Sequence, residues 1–327
     1  MTKEHDLINR YFAPLCSKSD AAPAFGLLDD TALLTPTKDQ QLLVTTDALV
    51  AGVHFFHDDL PGSIAHKALA VNVSDIVAKG GHPDSYLLTI ALPKNIEPKW
   101  LQEFAGGLGE AQSAFGCQLI GGDTVATSGP LMISITLLGK VSTGKMVRRK
   151  GARPGDMVFV SGTIGDAALG LLLRENGERI AKAALEEAHN AHLLERYLHP
   201  RPRIELAPAI KAYASAAMDI SDGLVGDFGK LCAASNVGGI IESARVPLSD
   251  AASSTLAQQP DLLETILSGG DDYEVLLTSP ADQADKFEQG AQNVTRIGEI
   301  TDQKEGIRIL DADGRSLDMA HGAYDHF

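Results

Sequence analysis

The hydrophobic and polar positions of the first half alternate between strand-like and helix-like periods. Residues 42–46 (LLVTT) and 131–141 (LMISITLLGKV) are apolar and rich in β-branched side chains, which favours strands. Between them, apolar side chains recur at helical spacing over about four turns; these are Trp100, Leu101, Phe104, Leu108, Ala111 and Phe115. The pattern therefore predicts strands combined with amphipathic helices in this half.

The second half shows the same mixture of periods. Helices are expected at about 166–174, 181–198 and 207–216, and a strand begins at Met157. Further strands are predicted at GGIIE, YEVLLT, VTRIGEI and GIRIL. The turn-rich segment MVRRKGARPGD separates the halves, so we predict two domains, 1–150 and 151–327, of mixed α/β (α+β) class.

Length, composition and charge narrow the class of protein. A chain of 327 residues exceeds the size at which one core keeps growing, which also favours two domains. With 44% hydrophobic residues, no membrane-length apolar run and no secretory signal pattern, the chain is expected in the cytoplasm. Cys16, Cys117 and Cys232 lie far apart and are expected to be buried thiols.

The formal net charge of −15 argues against nucleic acid as the main partner, because phosphate backbones bind basic surfaces. An acidic protein still binds phosphate esters when a divalent cation lies between them. Aspartates beside glycines or at strand ends are the candidates for holding such a cation. They are Asp29, Asp30, Asp47, Asp75, Asp123, Asp166, Asp219, Asp222, Asp271 and Asp272.

One segment, MDISDGLVGD at 218–227, contains three aspartates and no lysine or arginine. We expect Mg²⁺, rather than a lysine, to compensate this charge. The alternative for Ser221 or Asp222 is a helix N-cap, and the alternative for Asp75 is an ion pair with Lys79. A GxxxxGK match at 139–145 is not interpreted as a phosphate-binding loop, because Met146 replaces the required Ser or Thr.

As an ordered set, these motifs resemble those of thiamine-monophosphate kinases. The segments are LLDDTAL, VTTDALVAGVHF, KALAVNVSDIVAKG, LIGGDT, SGTIGD, HPRPR, MDISDGLVGDFGKL, SGGDDYE and YDHF, and they extend from about residue 25 to 327. The family is related to aminoimidazole ribonucleotide synthetase and selenophosphate synthetase. The resemblance implies an amino-terminal, mixed-sheet domain that forms a homodimer and a carboxy-terminal α/β domain that completes the active-site cleft.

The resemblance further implies Mg²⁺-dependent transfer of the γ-phosphoryl group of ATP to thiamine monophosphate, without a covalent nucleophile. Several Mg²⁺ ions would be held by Asp30, Thr45, Thr46, Asp47, Asp75, Asp123, Asp219 and Asp222, with Asp47, Asp75, Asp123 and Asp222 acting in catalysis through the metal. ATP would contact Gly122, Asp123, Arg149 and Ser221, and the thiamine phosphate would contact His54, Asp271 and His321.

Three departures from the family pattern bear on these roles. Leu28 stands where Gly or Asp is common, Asp271 stands in place of a Glu, and residues 319–321 lack an aromatic side chain. Two other functions stay open at this point: a related ATP-using synthetase, and a non-catalytic nucleotide-binding or metal-binding protein. An aspartic protease lacks support, because a second D-[ST]-G motif in an apolar setting is missing.

Overall fold

The computed structural model describes residues 4–16, 27, 31–35, 37–175 and 186–318. The chain divides into two compact units. The first contains the chain up to Ile76 and from Gly81 to Lys145, and the second contains Val77–Gly80 and the chain from Met146 onward. The passage from Lys145 to Met146 lies just before the turn-rich segment in which the sequence predicts a boundary.

The first unit is built on a sheet with the strand order β1-β4-β2-β3 among the described residues. The strands are β1 (Gln40–Val50), β2 (His82–Pro93), β3 (Gln118–Thr127) and β4 (Met132–Ser142). β4 is antiparallel to both of its neighbours, whereas β2 and β3 are parallel. The helices are α1 (Glu4–Leu7), α2 (Pro61–Ala78) and α3 (Pro98–Phe115), with short π and 3-10 turns at Ile8–Phe12 and Ala13–Leu15.

This sheet has one covered face and one open face. Ile133, Ile135 and Leu137 of β4 are fully buried, while the residues between them are only half-buried. Side chains alternate across a strand, so the buried set lies on one face. On β1 the open face carries Val44, which is 65% exposed. The sequence of the first unit therefore buries one side of its sheet and leaves apolar side chains on the other.

The second unit is built on a sheet with the order β10-β7-β9-β5-β8-β6 among the described residues. The strands are β5 (Met157–Ser161), β6 (Ala216–Asp219), β7 (Gly238–Glu242), β8 (Val275–Ser279), β9 (Val294–Thr301) and β10 (Ile307–Leu310). β10 is parallel to β7, and the other pairs are antiparallel. The helices are α4 (Asp166–Glu175), α5 (Glu187–Leu198), α6 (Ala207–Tyr213), α7 (Leu224–Ser235), α8 (Asp250–Gln258), α9 (Leu263–Ser268) and α10 (Ala281–Gly290).

Both faces of the second sheet are covered. Val158 and Val160 of β5 belong to one hydrophobic cluster, and Phe159 between them belongs to another. A strand that is buried on both faces needs apolar side chains at every position rather than at alternate ones. The continuous apolar run after Met157 is therefore explained by its central place in the sheet.

Most elements predicted from the sequence are present, with three differences. α6 ends at Tyr213, not near residue 216, because Ala216 begins β6 and pairs with β8. β8 begins at Val275, not at residue 273, because Tyr273 has a left-handed backbone (φ 50°) that does not extend a strand. β2 and β3 were not predicted, and the predicted segment 181–185 lies outside the described residues.

The three cysteines are buried free thiols, as the sequence predicts. Burial raises the pKa of Cys16 to about 11 and that of Cys117 and Cys232 to about 12. In the part of the chain that the structure describes, no helix combines the length and the apolar character needed to cross a membrane.

Candidate functional site

In the first unit, β1 and α2 bring together two predicted metal-binding residues. Thr45 lies on the covered face of β1, two positions from the buried Leu43, and its hydroxyl donates a hydrogen bond to the carboxylate of Asp75 on α2. Asp75 is half-buried and lies among the buried apolar residues Val73, Ile76 and Val77 of α2, where an unpaired carboxylate is costly. Lys79, the alternative partner of Asp75, donates to the carbonyl of Ala217 at 3.0 Å.

Strand geometry separates Thr46 from its neighbours. Asp47 shares the covered face of β1 with Thr45, whereas the side chain of Thr46 lies on the open face. The Thr46 hydroxyl is bonded there to the carbonyl of Ile135 and to the hydroxyl of Thr136, both at 3.1 Å. The hydroxyl of Thr46 therefore lies apart from the side chains of Thr45 and Asp47, because consecutive residues of a strand point in opposite directions.

β3 carries the predicted nucleotide contacts Gly122 and Asp123 at an exposed edge of the sheet. Gly122 has φ 155°, and a Cβ at this position would lie 1.9 Å from the carbonyl oxygen of Leu88. Only glycine permits this close approach of β3 to β2. Both residues line a cavity of about 770 Å³, whose other walls are mainly apolar side chains such as Phe12 and Leu138.

In the second unit, the turn that follows β6 is organised by Asp227. The N–H groups of Ser221 and Asp222 donate to Asp227 Oδ2 at 3.0 and 2.9 Å. α7 has Gly223 (φ 106°) as its N-cap, without a side-chain bond. The alternative of an N-cap by Ser221 or Asp222 is therefore not formed, because a carboxylate from the first turn of the helix reaches back to the preceding N–H groups instead.

Lys230 supplies the positive charge that the ten-residue stretch itself lacks. Its Nζ contacts Asp222 Oδ2 and lies 2.8 Å from Asp227 Oδ1. Asp227 and Lys230 are three positions apart on α7 and so share a helix face. The expectation that no lysine compensates these aspartates is therefore wrong. Burial raises the pKa of the Asp227 carboxyl, and the hydrogen bond from Lys230 opposes this rise only in part.

The loop before β8 holds Asp271 close to this turn. Asp271 N donates to the carbonyl of Ser221 at 2.9 Å, and Tyr273 N donates to that of Ile220 at 2.8 Å. Asp271 and Tyr273 both have left-handed backbones, with φ 73° and 50°. Such conformations are uncommon outside glycine and are concentrated at functional sites. The structure thus brings a predicted substrate contact and a predicted ATP contact together.

The same loop has two buried acidic side chains, Asp272 and Glu274. Asp272 accepts hydrogen bonds from Gly165 N at 2.8 Å and Ala167 N at 3.4 Å, at the start of α4. Its burial raises the pKa of this carboxyl well above the ordinary value. Asp272 and its N–H donors therefore form an internal connection between the loop and α4, rather than a metal site.

Glu274 is bound by two arginines that the sequence analysis did not single out as a pair. Its carboxylate accepts from Arg196 at 2.9 Å, from Arg203 Nε at 2.7 Å and from Ser161 Oγ at 2.6 Å. Hydrogen bonding to Glu274 raises the pKa of Arg203. The HPRPR motif thus contributes a half-buried arginine that pairs with a buried carboxylate, and this role was not predicted from the sequence because the partner is 71 positions away.

The remaining predicted residues are placed as follows. His54 Nδ1 accepts from Val50 N at 3.1 Å in the turn after β1, and Arg149 is exposed. Asp219 is the buried last residue of β6. Asp30 and His321 lie outside the described residues, as does Leu28. Among the side chains that the structure describes, no group of three or more His, Cys, Asp or Glu is arranged to hold a metal ion.

The comparisons with known proteins agree with this two-unit architecture. The family model "AIR synthase related protein, N-terminal domain" matches residues 28–141, and the corresponding C-terminal domain matches residues 153–311. The chain thus has both domains of this class of proteins. A thiamine-monophosphate kinase of Escherichia coli (strain K12) is 38% identical over 333 residues, which cover 99% of this chain and 98% of that protein. The chain belongs to the thiamine-monophosphate kinase family.

Solved structures extend this similarity to the fold. A thiamine-monophosphate kinase from Stenotrophomonas maltophilia K279a is 39% identical, with a TM-score of 0.79 and coverage of 89% of this chain and 91% of that one. AaThiL complexed with AMPPCP and TMP is 35% identical, with a TM-score of 0.77 and coverage of 90% and 89%. The family and the fold class predicted from the motifs are therefore confirmed.

Proposed function

We propose that this protein transfers the γ-phosphoryl group of ATP to thiamine monophosphate and forms thiamine diphosphate. The observation that carries the proposal is the similarity, over about nine-tenths of both chains, to a structure that holds AMPPCP and TMP together. The acceptor is a phosphate monoester, one of whose oxygens attacks the γ-phosphorus while the bond from that phosphorus to the β-γ bridging oxygen breaks and ADP leaves. No side-chain nucleophile is needed, and catalysis consists of positioning and charge neutralisation.

Mg²⁺ is the cation that the donor set fits best. The proposed ligands are oxygens, mostly carboxylates, and Mg²⁺ typically takes one or two carboxylates and completes its shell with water and substrate phosphates. The contact between Thr45 and Asp75 provides a hydroxyl and a carboxylate in one place. Paired donors of this kind suit ions that arrive with a nucleotide. The bound ions would neutralise the transferred phosphoryl group.

The proposed metal ligands are Thr45, Asp47, Asp75, Asp123, Asp219 and Asp222. The exposed backbone at Gly122, with Asp123, Arg149 and Ser221, would bind ATP. His54 and Asp271 would orient the thiamine phosphate. Asp30, Thr46 and His321 keep the roles that the resemblance implies.

We also propose that the protein is a homodimer that associates through the open face of the first sheet. Val44, Leu87 and Val125 on that face are 65%, 37% and 44% exposed. Apolar side chains grouped on one face of a sheet are typical of an association surface. The four-stranded sheet would then be covered on both sides.

A chromatographic assay for thiamine diphosphate tests the catalytic proposal. Purified protein with ATP, MgCl₂ and thiamine monophosphate should form the product, and EDTA should abolish it. Asp222→Asn should lower kcat/KM by about 100-fold or more, the usual scale for losing a transition-state charge contact. The matched control is Asp313→Asn, an exposed aspartate paired with Arg315, which should retain activity. Nucleotide binding without product would refute the proposal.

A further inference from the structure

Lys230 has two carboxylate partners that differ in their surroundings. Asp227 is fully buried, and its other oxygen is held by the N–H groups of Ser221 and Asp222. The Asp222 side chain is one-third exposed, and in the part of the chain that the structure describes it is bonded to the side chain of Lys230. The bond to Asp227 is therefore part of the internal structure of α7 and its preceding turn. The contact with Asp222 is the one that can be exchanged.

We infer that Lys230 competes with the divalent cation for Asp222. Its ammonium group neutralises this carboxylate before the cation binds and gives up the contact when the cation arrives, while it stays bonded to Asp227. The inference rests on the metal role of Asp222 that is proposed above, and it assigns Lys230 as a positioning residue rather than a catalytic one.

The physical reason is that an ammonium group and Mg²⁺ need the same carboxylate oxygens and repel each other. An uncompensated carboxylate beside the buried Asp227 would be electrostatically costly, so Lys230 stabilises the metal-free turn. The same charge weakens the binding of the metal ion. A lysine placed in this way sets the Mg²⁺ concentration at which Asp222 becomes available. Removing an ordinary binding residue weakens the binding of its ligand. Removing Lys230 should instead strengthen cation binding.

Lys230→Gln tests this inference, because glutamine removes the charge and keeps an N–H donor for Asp227. The measurement is the Mg²⁺ dissociation constant from titration calorimetry, with a saturating non-hydrolysable ATP analogue present. We expect about tenfold tighter binding, because a unit charge a few ångströms from a divalent ion repels it on this scale even at the dielectric constant of water.

The chain offers a closely matched control. Lys140 pairs with Asp84 on the first sheet, and both Lys140 and Lys230 have side chains that are 38% exposed. Lys140→Gln changes the net charge by the same amount at a pair for which no metal role is proposed. Its Mg²⁺ affinity should equal that of the wild type. An equal gain in Mg²⁺ affinity in both variants would mean that the effect comes from net charge alone, and it would overturn the inference.

Asp222→Asn separates this inference from the proposed function. If Asp222→Asn weakens Mg²⁺ binding and Lys230→Gln leaves it unchanged or weaker, the inference about Lys230 is wrong and the metal role of Asp222 stands. If Asp222→Asn leaves the affinity unchanged, both fail. Crystal structures of the wild type with and without Mg²⁺ test the inference and do not require that a variant folds. A contact between Lys230 and Asp222 that persists beside bound Mg²⁺ would overturn the inference.

Discussion

At the scale of single residues, the aspartates near the turn after β6 have different roles because their surroundings differ. Asp272 is buried and accepts backbone N–H groups, whereas its neighbour Asp271 is part-exposed on a left-handed backbone. Asp222 is part-exposed beside Lys230. Burial without a full counter-charge disfavours the ionised form, so Asp272 belongs to the internal structure, whereas Asp271 and Asp222 keep part of their surface in contact with solvent.

Asp272→Asn should change how stability depends on pH. Burial raises the pKa of folded Asp272 above its unfolded value near 3.8. The raised pKa therefore adds to the free energy of unfolding below pH 3.8. This stabilisation is lost as the pH rises through the pKa of the folded state. Asparagine does not titrate, so the variant does not undergo this pH-dependent loss of stability. Between pH 4 and pH 8, the thermal midpoint of Asp272→Asn should rise relative to that of the wild type.

The control for this prediction is Asp261→Asn, at an exposed position before α9. Its midpoint should stay parallel to that of the wild type over the same pH range. A parallel curve for Asp272→Asn as well would contradict a raised pKa at Asp272.

At the scale of elements, α2 and α3 are packed closely through glycine. A Cβ on Gly107 would lie 2.4 Å from the Cα of Gly62, whereas a Cβ on Gly106 would meet nothing within 4 Å. Both glycines belong to α3, one turned towards α2 and one exposed. The helical spacing of Leu101, Phe104 and Leu108 predicts the buried face of α3. It does not reveal how near the neighbouring helix comes.

Gly107→Ala should therefore destabilise the protein, by about 1–3 kcal/mol, because the backbone of α2 must move away. Gly106→Ala should have the opposite sign and stabilise by about 0.5–1 kcal/mol, because alanine is the better helix former in an exposed position. Thermal and denaturant unfolding of the two variants provide the comparison. Equal effects would mean that α2 and α3 do not touch at Gly107.

At the scale of the whole molecule, the two sheets are covered differently. The second sheet has a hydrophobic cluster on each face, whereas the first has apolar side chains on an open face. Among the described residues, Val44 and Val125 keep a large part of their apolar side chains exposed on this face, which is the basis for the homodimer proposed above.

Val44→Glu should weaken the proposed dimer, because two buried carboxylates would be brought to the interface without a partner. Sedimentation velocity across a range of protein concentrations should show a dimer for the wild type and a monomer for the variant. Val53→Glu is the control, since Val53 is 57% exposed but lies in the turn after β1. A monomeric wild type would refute the proposed dimer.

The sequence by itself determined the class of fold and the family. Elements with strong periodicity, such as α3 and β4, were predicted within about two residues, because a regular apolar pattern is local information. The ordered set of short motifs identified the thiamine-monophosphate kinase family, although each motif alone was compatible with an ordinary turn.

Only the tertiary structure decided which of the candidate residues meet and which are occupied. The hydrogen bond of Thr45 to Asp75, the binding of Glu274 by Arg196 and Arg203, and the close approach of Gly122 to Leu88 join positions far apart in the chain. The contact of Lys230 with Asp222 was missed because Lys230 lies just beyond the acidic stretch, where the turn of α7 brings it back. Periodicity and motifs carry local preference, whereas charge compensation depends on distances that exist only after the chain has folded.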